Sequence, residues 1–117
     1  MRGFLFAAAL VAGAQPASAF SNKFDGVWTV DVRTTVGDCQ PEIEGAVTIE
    51  GGRVVASSGA DIAVWGYVED SGDVSARFTQ GQAVLRASGK ARAAAAGGAW
   101  SSNTNYCGGV WSARREK

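Results

Sequence analysis

Hydrophobic and polar residues alternate most regularly along the stretch from Phe24 to Arg33. One parity is apolar and includes Trp28 and Val30, whereas the other carries Asp31 and Arg33. Because a β-strand places successive side chains on opposite faces, this pattern predicts a first strand with one buried and one wetter face. We expect the rest of the chain to be organised around this strand.

Shorter stretches of alternation follow, separated by turns rich in Gly, Asp and Ser. Among these turns, Gly51-Gly52 between two alternating runs is a strong hairpin signal. The further strands are predicted at Glu44–Glu50, Arg53–Ser57, Ile62–Glu69, Val74–Thr79, Ala83–Arg92, Ala99–Ser102 and Gly108–Arg115. Eight short strands with short connections predict an all-β antiparallel meander, and its closure into a small barrel would remove exposed edges. A β-sandwich is the alternative.

The alanine run Ala91–Ala96 also suits a helix, because alanine has the highest helix propensity. The run is short, however, ends in Gly97-Gly98 and continues the alternation of the preceding strand. We therefore predict strand and loop at this position.

Residues 1–19 have the features of a secretory signal peptide. Arg2 gives a positive start, Phe4 to Ala14 an apolar run, and Ala17-Ser18-Ala19 a cleavage site of small residues. The apolar run is too short to cross a bilayer core of roughly 30 Å, so a transmembrane anchor is not expected. We predict a single domain at 20–117 that is periplasmic or secreted.

Cys39 and Cys107 are the only cysteines. In an oxidising compartment, a cysteine pair in a small domain favours a disulfide over free thiols. In a closed eight-stranded meander, the loop after the first strand and the loop before the last lie at the same end. Closure would therefore bring the two cysteines together.

A Gly-x-Trp pattern occurs at Gly26-Val27-Trp28 and returns at Gly98-Ala99-Trp100 and Gly109-Val110-Trp111. The Phe24–Trp28 stretch, the Gly37-Asp38-Cys39 turn and the closing Cys107–Arg114 stretch together resemble an abundant, uncharacterised family of short secreted bacterial proteins. The resemblance covers nearly all of residues 20–117 and implies little about function.

The first Gly-x-Trp also resembles that of the calycins, the lipocalin and avidin group. In that group the tryptophan lies at the closed end of a barrel beneath a basic side chain from the last strand. The resemblance implies structural roles for Gly26 and Trp28 and for a base supplied by Arg114 or Arg115. We expect Trp111, in the closing Gly-x-Trp, to be structural as well. Small bacterial metalloprotease inhibitors look similar, and their free N-terminal segment would correspond here to Phe20–Lys23.

The composition argues against an enzyme. The chain contains no histidine, which excludes a Ser-His-Asp triad and a histidine-bearing metal site. Glu42 and Glu44 share one face of a strand, as paired catalytic carboxylates would, but acids beside a proline turn are far more often solvated surface. The acidic turn Glu69–Asp73 likewise favours a hairpin turn over a calcium site. We expect no catalysis, no metal and no cofactor.

Two features point to binding. Trp65 and Tyr67 lie on the strand face opposite its aliphatic residues, so a barrel with the aliphatic set inside would expose both rings. The inverse arrangement, with the rings inside, remains open. A basic strip suited to anionic polysaccharide or lipid head groups would lie beside the rings, formed by Arg77, Arg86, Lys90 and Arg92. Four bases are too few to indicate nucleic acid.

Charge is unevenly distributed along the chain. Residues 20–73 contain ten acids and three bases, a balance of −7, whereas residues 74–117 contain one acid and seven bases, a balance of +6. This split marks either an interaction surface or acidic strands that pair with basic ones across the sheet, and we favour the second.

The expected function is therefore that of a non-catalytic secreted or periplasmic β-barrel. It would bind a small ligand or an anionic envelope component. The alternative is an inhibitor of an extracellular protease, which would make the partner an extracellular protein.

Overall fold

The structure, a computed structural model, describes residues 20–117. The predicted signal peptide, residues 1–19, lies outside the described residues. The described part forms eight strands: β1 Gly26–Val36, β2 Glu42–Glu50, β3 Arg53–Ser57, β4 Ala63–Val68, β5 Asp73–Gln80, β6 Ala83–Arg92, β7 Ala95–Ser102 and β8 Gly108–Arg115. Residues 20–117 include no helix long and apolar enough to cross a membrane.

The strands form a closed antiparallel barrel in which each pairs with the next in sequence. β8 returns to β1, with Val32 opposite Trp111 and Thr29 opposite Arg114. The predicted all-β meander and its closure are thus confirmed. The connections β1–β2, β3–β4, β5–β6 and β7–β8 lie at one end, which we call the open end; the other three connections lie at the closed end.

Several strand limits differ from the predicted ones, most clearly in the alanine run. Ala91 is the last inward-facing residue of β6, and Ala93 and Ala94 form a two-residue turn. β7 then begins at Ala95 rather than at Ala99. Ala93 has a φ of 54°, a left-handed conformation that tight hairpins often require. The alternation of the flanking strands therefore prevails over the helix propensity of alanine.

A compact apolar core fills the closed end. Trp28 is 2% exposed and Phe24, just before β1, is 3% exposed. The indole nitrogen of Trp28 donates to the carbonyl oxygen of Phe24 at 2.9 Å, so the buried N–H has a partner. Ile49, Val54, Val68 and Ala91 complete the cluster.

Arg115 covers this core from the last strand. Its guanidinium carbon lies 5.3 Å from the centre of the Trp28 ring, and its Nη1 donates to the carbonyl oxygens of Lys23 and Asp25. A Cβ on Gly26, which has a φ of 134°, would lie 3.2 Å from the Arg115 side chain. Of the two arginines considered, Arg115 is the one beside Trp28, whereas Arg114 has the opposite parity and is exposed.

Candidate functional site

Above the closed-end core the barrel encloses a cavity of about 730 Å³. Trp28 forms part of its floor, and every strand contributes side chains to its wall. Eight strands make the smallest common barrel that can hold a single small ligand. The cavity volume falls within the usual range of small-molecule sites, roughly 300–1,000 Å³.

The cavity exists because the inward positions of the later strands carry small residues. Ala76 on β5, Ala87 on β6, Ala96 on β7 and Ala113 on β8 all line it. Each leaves the space that a Val, Leu or Phe would fill in a packed barrel. The sequence left open whether the barrel is hollow, although small residues on one parity of β6 are consistent with a cavity.

The indole N–H groups of two tryptophans each form a hydrogen bond that passes over the neighbouring strand to the strand beyond it. Trp100 on β7 lies opposite Gly109 on β8, and its indole nitrogen donates to the carbonyl oxygen of Arg33 on β1 at 3.0 Å. Trp111 on β8 lies opposite Gly98 on β7, and its indole nitrogen donates to Ser88 of β6 at 3.1 Å. Each ring thus crosses over a glycine to reach the strand beyond. This arrangement gives the two later Gly-x-Trp patterns a structural reason.

Polar side chains that line the cavity cluster toward its mouth at the open end. They come from the ends of the strands and the adjoining loops: Ser57, Ser58, Thr79, Gln80, Ser102 and Thr104. Most of the wall is aliphatic or aromatic, and it includes Val32, Phe78 and Leu85. The cavity therefore has an apolar floor and a mixed mouth, where polar side chains lie among apolar ones such as Ile43 and Ile62.

The disulfide Cys39–Cys107 ties the β1–β2 and β7–β8 loops at the same open end, with a Cα–Cα distance of 6.1 Å. The predicted bond is thus present in the structure. Gly37 makes the close approach possible, because a Cβ at that position would lie 2.6 Å from Cα of Cys107. Cys39 also lines the cavity, so the bond belongs to the rim.

The aromatic residues of β4 face outward, which is the arrangement expected if the aliphatic residues of this strand are inside the barrel. Trp65 is 54% exposed, while Val68 on the other parity is 3% exposed and belongs to the core. Trp65 and Tyr67 meet edge to face, with ring centres 5.7 Å apart. The aliphatic set is therefore inside the barrel.

The four predicted bases share the outer face of β5 and β6 but do not form one site. Arg77 and Arg86 lie opposite each other, and Arg77 is also opposite Trp65. Lys90 instead forms an ion pair with Asp73, with an N–O distance of 2.8 Å. Hydrogen bonds from Lys90 and Ser71 to its carboxylate lower the pKa of Asp73. Arg92 lies beyond this pair at the β6–β7 turn.

Acidic residues collect on the outer face of β1 and β2. Asp31 is opposite Glu44, and carboxylate oxygens of Asp31, Glu42 and Glu44 lie within 4.8 Å of one another. A hydrogen bond with Asp31 and its negative charge raise the pKa of Glu42, although Arg33 opposes the change. The expected pairing of acidic with basic residues across the sheet is found for Glu42 with Arg33 and for Asp73 with Lys90. It is not found for Asp31, which faces Glu44, or for Arg77, which faces Arg86.

The N-terminal segment of the described chain is held against the closed end. The Ser21 backbone N–H and hydroxyl both donate to Asp70 Oδ1, and Lys23 Nζ donates to the Asp70 carbonyl oxygen. Phe20 packs edge to face on Tyr67 with ring centres 5.4 Å apart. Phe20–Lys23 therefore lies against the barrel rather than extending from it.

Comparison with known proteins adds no family to these observations. No family model matches the chain, and no curated protein sequence is significantly similar to it.

Proposed function

We propose that this protein binds a small amphipathic ligand with a single aliphatic tail inside its barrel, outside the cytoplasm and without catalysis. The observation that carries the proposal is the cavity of about 730 Å³ enclosed by all eight strands. Concave apolar sites of this volume bury most of the surface of a small ligand.

The distribution of polarity supports an amphipathic ligand. An aliphatic tail would contact apolar side chains of the wall such as Val30, Ala87 and Trp100, where it would be removed from water. A polar head would remain near Gln80 and Thr104 at the mouth. The indole N–H groups of Trp100 and Trp111 already donate to backbone carbonyls, so both rings present apolar surface.

The disulfide supports a location outside the cytoplasm. Bonds of this kind persist in oxidising compartments and are rare where thiols are kept reduced. A signal peptide at residues 1–19, expected from the sequence, would deliver the protein there. Periplasmic or secreted localisation therefore forms part of the proposal.

Titration with cis-parinaric acid, a fluorescent polyene fatty acid, tests the binding. Trp100 and Trp111 line the cavity, so saturable energy transfer from tryptophan to the bound polyene is expected, and palmitate should displace the probe. Ala87→Phe places a ring inside the cavity and should weaken binding about tenfold or more, because it removes the volume that the tail needs.

The matched control is Ala95→Phe, which adds the same ring to an exposed position of β7. It should bind the probe like the wild type. Absence of saturable binding by the wild type, or equal binding by the correctly folded Ala87→Phe variant, would contradict the proposal. Circular dichroism verifies that both variants keep the barrel.

A further inference from the structure

A second concave feature lies on the outside of the barrel, across β4 to β7. It is a groove of about 320 Å³. One side is a row of residues in register on four strands, namely Trp65, Arg77, Arg86 and Ser101. The floor is the neighbouring row of smaller side chains, which includes Ser75, Ser88 and Ala99.

The two arginines of this groove have no acidic partner. Arg77 and Arg86 are directly opposite each other on adjacent strands, an arrangement that destabilises a sheet when the charges are alike. Within residues 20–117, the ion pairs involve Arg33 and Lys90, and neither groove arginine takes part in one. An anion placed between the two guanidinium groups would offset their repulsion.

The groove also presents an aromatic surface beside these charges. The Arg77 guanidinium carbon lies 5.4 Å from the centre of the Trp65 ring, and this contact holds the guanidinium close to the indole. Trp65 is nevertheless 54% exposed. A flat apolar ring, two forked cationic donors and serine hydroxyls therefore border the same open space.

We propose that this groove binds an acidic oligosaccharide through the carboxylate of a uronic acid. A carboxylate accepts paired hydrogen bonds from a guanidinium in a planar geometry. The apolar C–H face of a sugar ring would stack on Trp65, and its hydroxyl groups would bond to Ser75 and Ser88. Carboxylate, ring face and hydroxyls are the three features that the groove complements.

The shape of the groove favours a saccharide over a lipid head group. It runs across four strands, a length of about 14 Å at the usual strand spacing, which suits a short linear oligosaccharide. Its floor is the outer wall of the barrel, and Ala87 and Trp100, which touch both spaces, separate it from the cavity. An acyl chain attached to a head group in the groove would have no apolar space to enter there.

Isothermal titration with oligogalacturonate tests the proposal. The wild type should bind it, and the same oligomer with its carboxyl groups methyl-esterified should bind about tenfold more weakly or not at all, because charge-assisted hydrogen bonds are lost. Arg86→Gln and Trp65→Ala should each weaken binding of the acidic oligomer about tenfold. Arg114→Gln is the matched control, since Arg114 is exposed on β8 outside the groove and its loss changes the net charge equally.

The unliganded melting temperature gives a second measurement that a general folding defect would not reproduce. Arg86→Gln should raise it, because the substitution removes the repulsion from Arg77. Equal binding of the acidic and esterified oligomers would overturn the proposal, as would equal weakening by Arg86→Gln and Arg114→Gln. Binding to phosphatidylglycerol vesicles without binding to oligogalacturonate would overturn it in favour of a lipid surface.

The groove proposal stands apart from the cavity proposal. The groove lies on the outer face of the wall and is tested with a water-soluble oligosaccharide, whereas the cavity is tested with a fatty acid. Ala87 and Arg86 are adjacent on β6, but the Ala87 side chain points into the barrel and the Arg86 side chain points outward. If the wild type binds the fatty acid but not oligogalacturonate, the groove proposal fails and the cavity proposal stands. The opposite result means that the cavity proposal fails.

Discussion

The two ends of this barrel are built on the same eight strands but differ in how side chains fill the interior. At the closed end, large side chains such as Phe24, Trp28 and Ile49 fill the interior and are almost fully buried. Farther from this core, Ala76 and Ala87 face each other at inward positions of β5 and β6 and border the cavity. Side-chain volume, and not strand number, therefore decides whether each part of this barrel is filled or hollow.

The ends also differ in what holds them together. The closed end relies on apolar burial and on Arg115, which donates hydrogen bonds to carbonyl oxygens of Lys23 and Asp25. The hollow part has less apolar contact to stabilise it. There the disulfide joins two loops, and hydrogen bonds from Trp100 and Trp111 connect strands that are not neighbours.

Replacing a tryptophan at each end is the strongest way to test this difference. Trp28→Ala should lower the free energy of unfolding by about 3 to 5 kcal/mol, because it empties the centre of the closed-end core. Trp111→Ala should cost clearly less, since that ring is only partly buried and already borders open space. Chemical denaturation followed by far-ultraviolet circular dichroism measures both losses. Equal losses would show that the core does not reside at the closed end.

Removing the disulfide should have the next largest effect. Cys39 and Cys107 are 68 residues apart in sequence, and cross-links of this kind typically stabilise a domain by about 2 to 4 kcal/mol. The double variant Cys39→Ser with Cys107→Ser should lose stability in this range. Its amide hydrogen exchange should accelerate more in the two open-end loops than around Trp28. An unchanged denaturation midpoint would contradict a structural role for the bond.

Much of the architecture was predictable because it depends on parity. Alternation located the strands, and a closed meander places the loops that contain Cys39 and Cys107 at one end. The choice of Arg115 over Arg114 also follows from parity, since Arg115 shares the face of Trp111 and Ala113 in β8. By contrast, the volume of the interior depends on side chains from all eight strands together, and no single stretch of sequence reveals it.

The outer groove was predictable only in part. The two faces of β4 and the bases of β5 and β6 were visible in the sequence. Which face of β4 is exposed, and the register of the strands, were not. Gln80 and Ala83 are paired, so the β5–β6 turn contains only Gly81 and Gln82. This short turn puts Arg77 opposite Arg86 and leaves Lys90 opposite Asp73. The strand limits predicted from the sequence, Val74–Thr79 and Ala83–Arg92, left three residues for this turn. They therefore did not determine which residues of β5 and β6 are opposite each other.

The finest test of the two ends uses one substitution at two positions of the same strand. Ala87 and Ala91 both face inward on β6 and both border the cavity. Ala91 is 7% exposed and packs within the closed-end core, whereas Ala87 is only partly buried and lies outside that core. Ala91→Leu should destabilise the protein by about 1 to 3 kcal/mol, because added methyl groups in a packed core force neighbouring side chains to move.

Ala87→Leu should leave stability nearly unchanged or raise it slightly, since its methyl groups enter space that is already open and gain contacts with the wall. Thermal unfolding of both variants under identical conditions measures the difference. Because the backbone, the parity and the chemical change are shared, only the surrounding volume distinguishes the two sites. A loss at Ala87 as large as that at Ala91 would mean that the barrel is packed along its whole length, and the cavity proposal would fail with it.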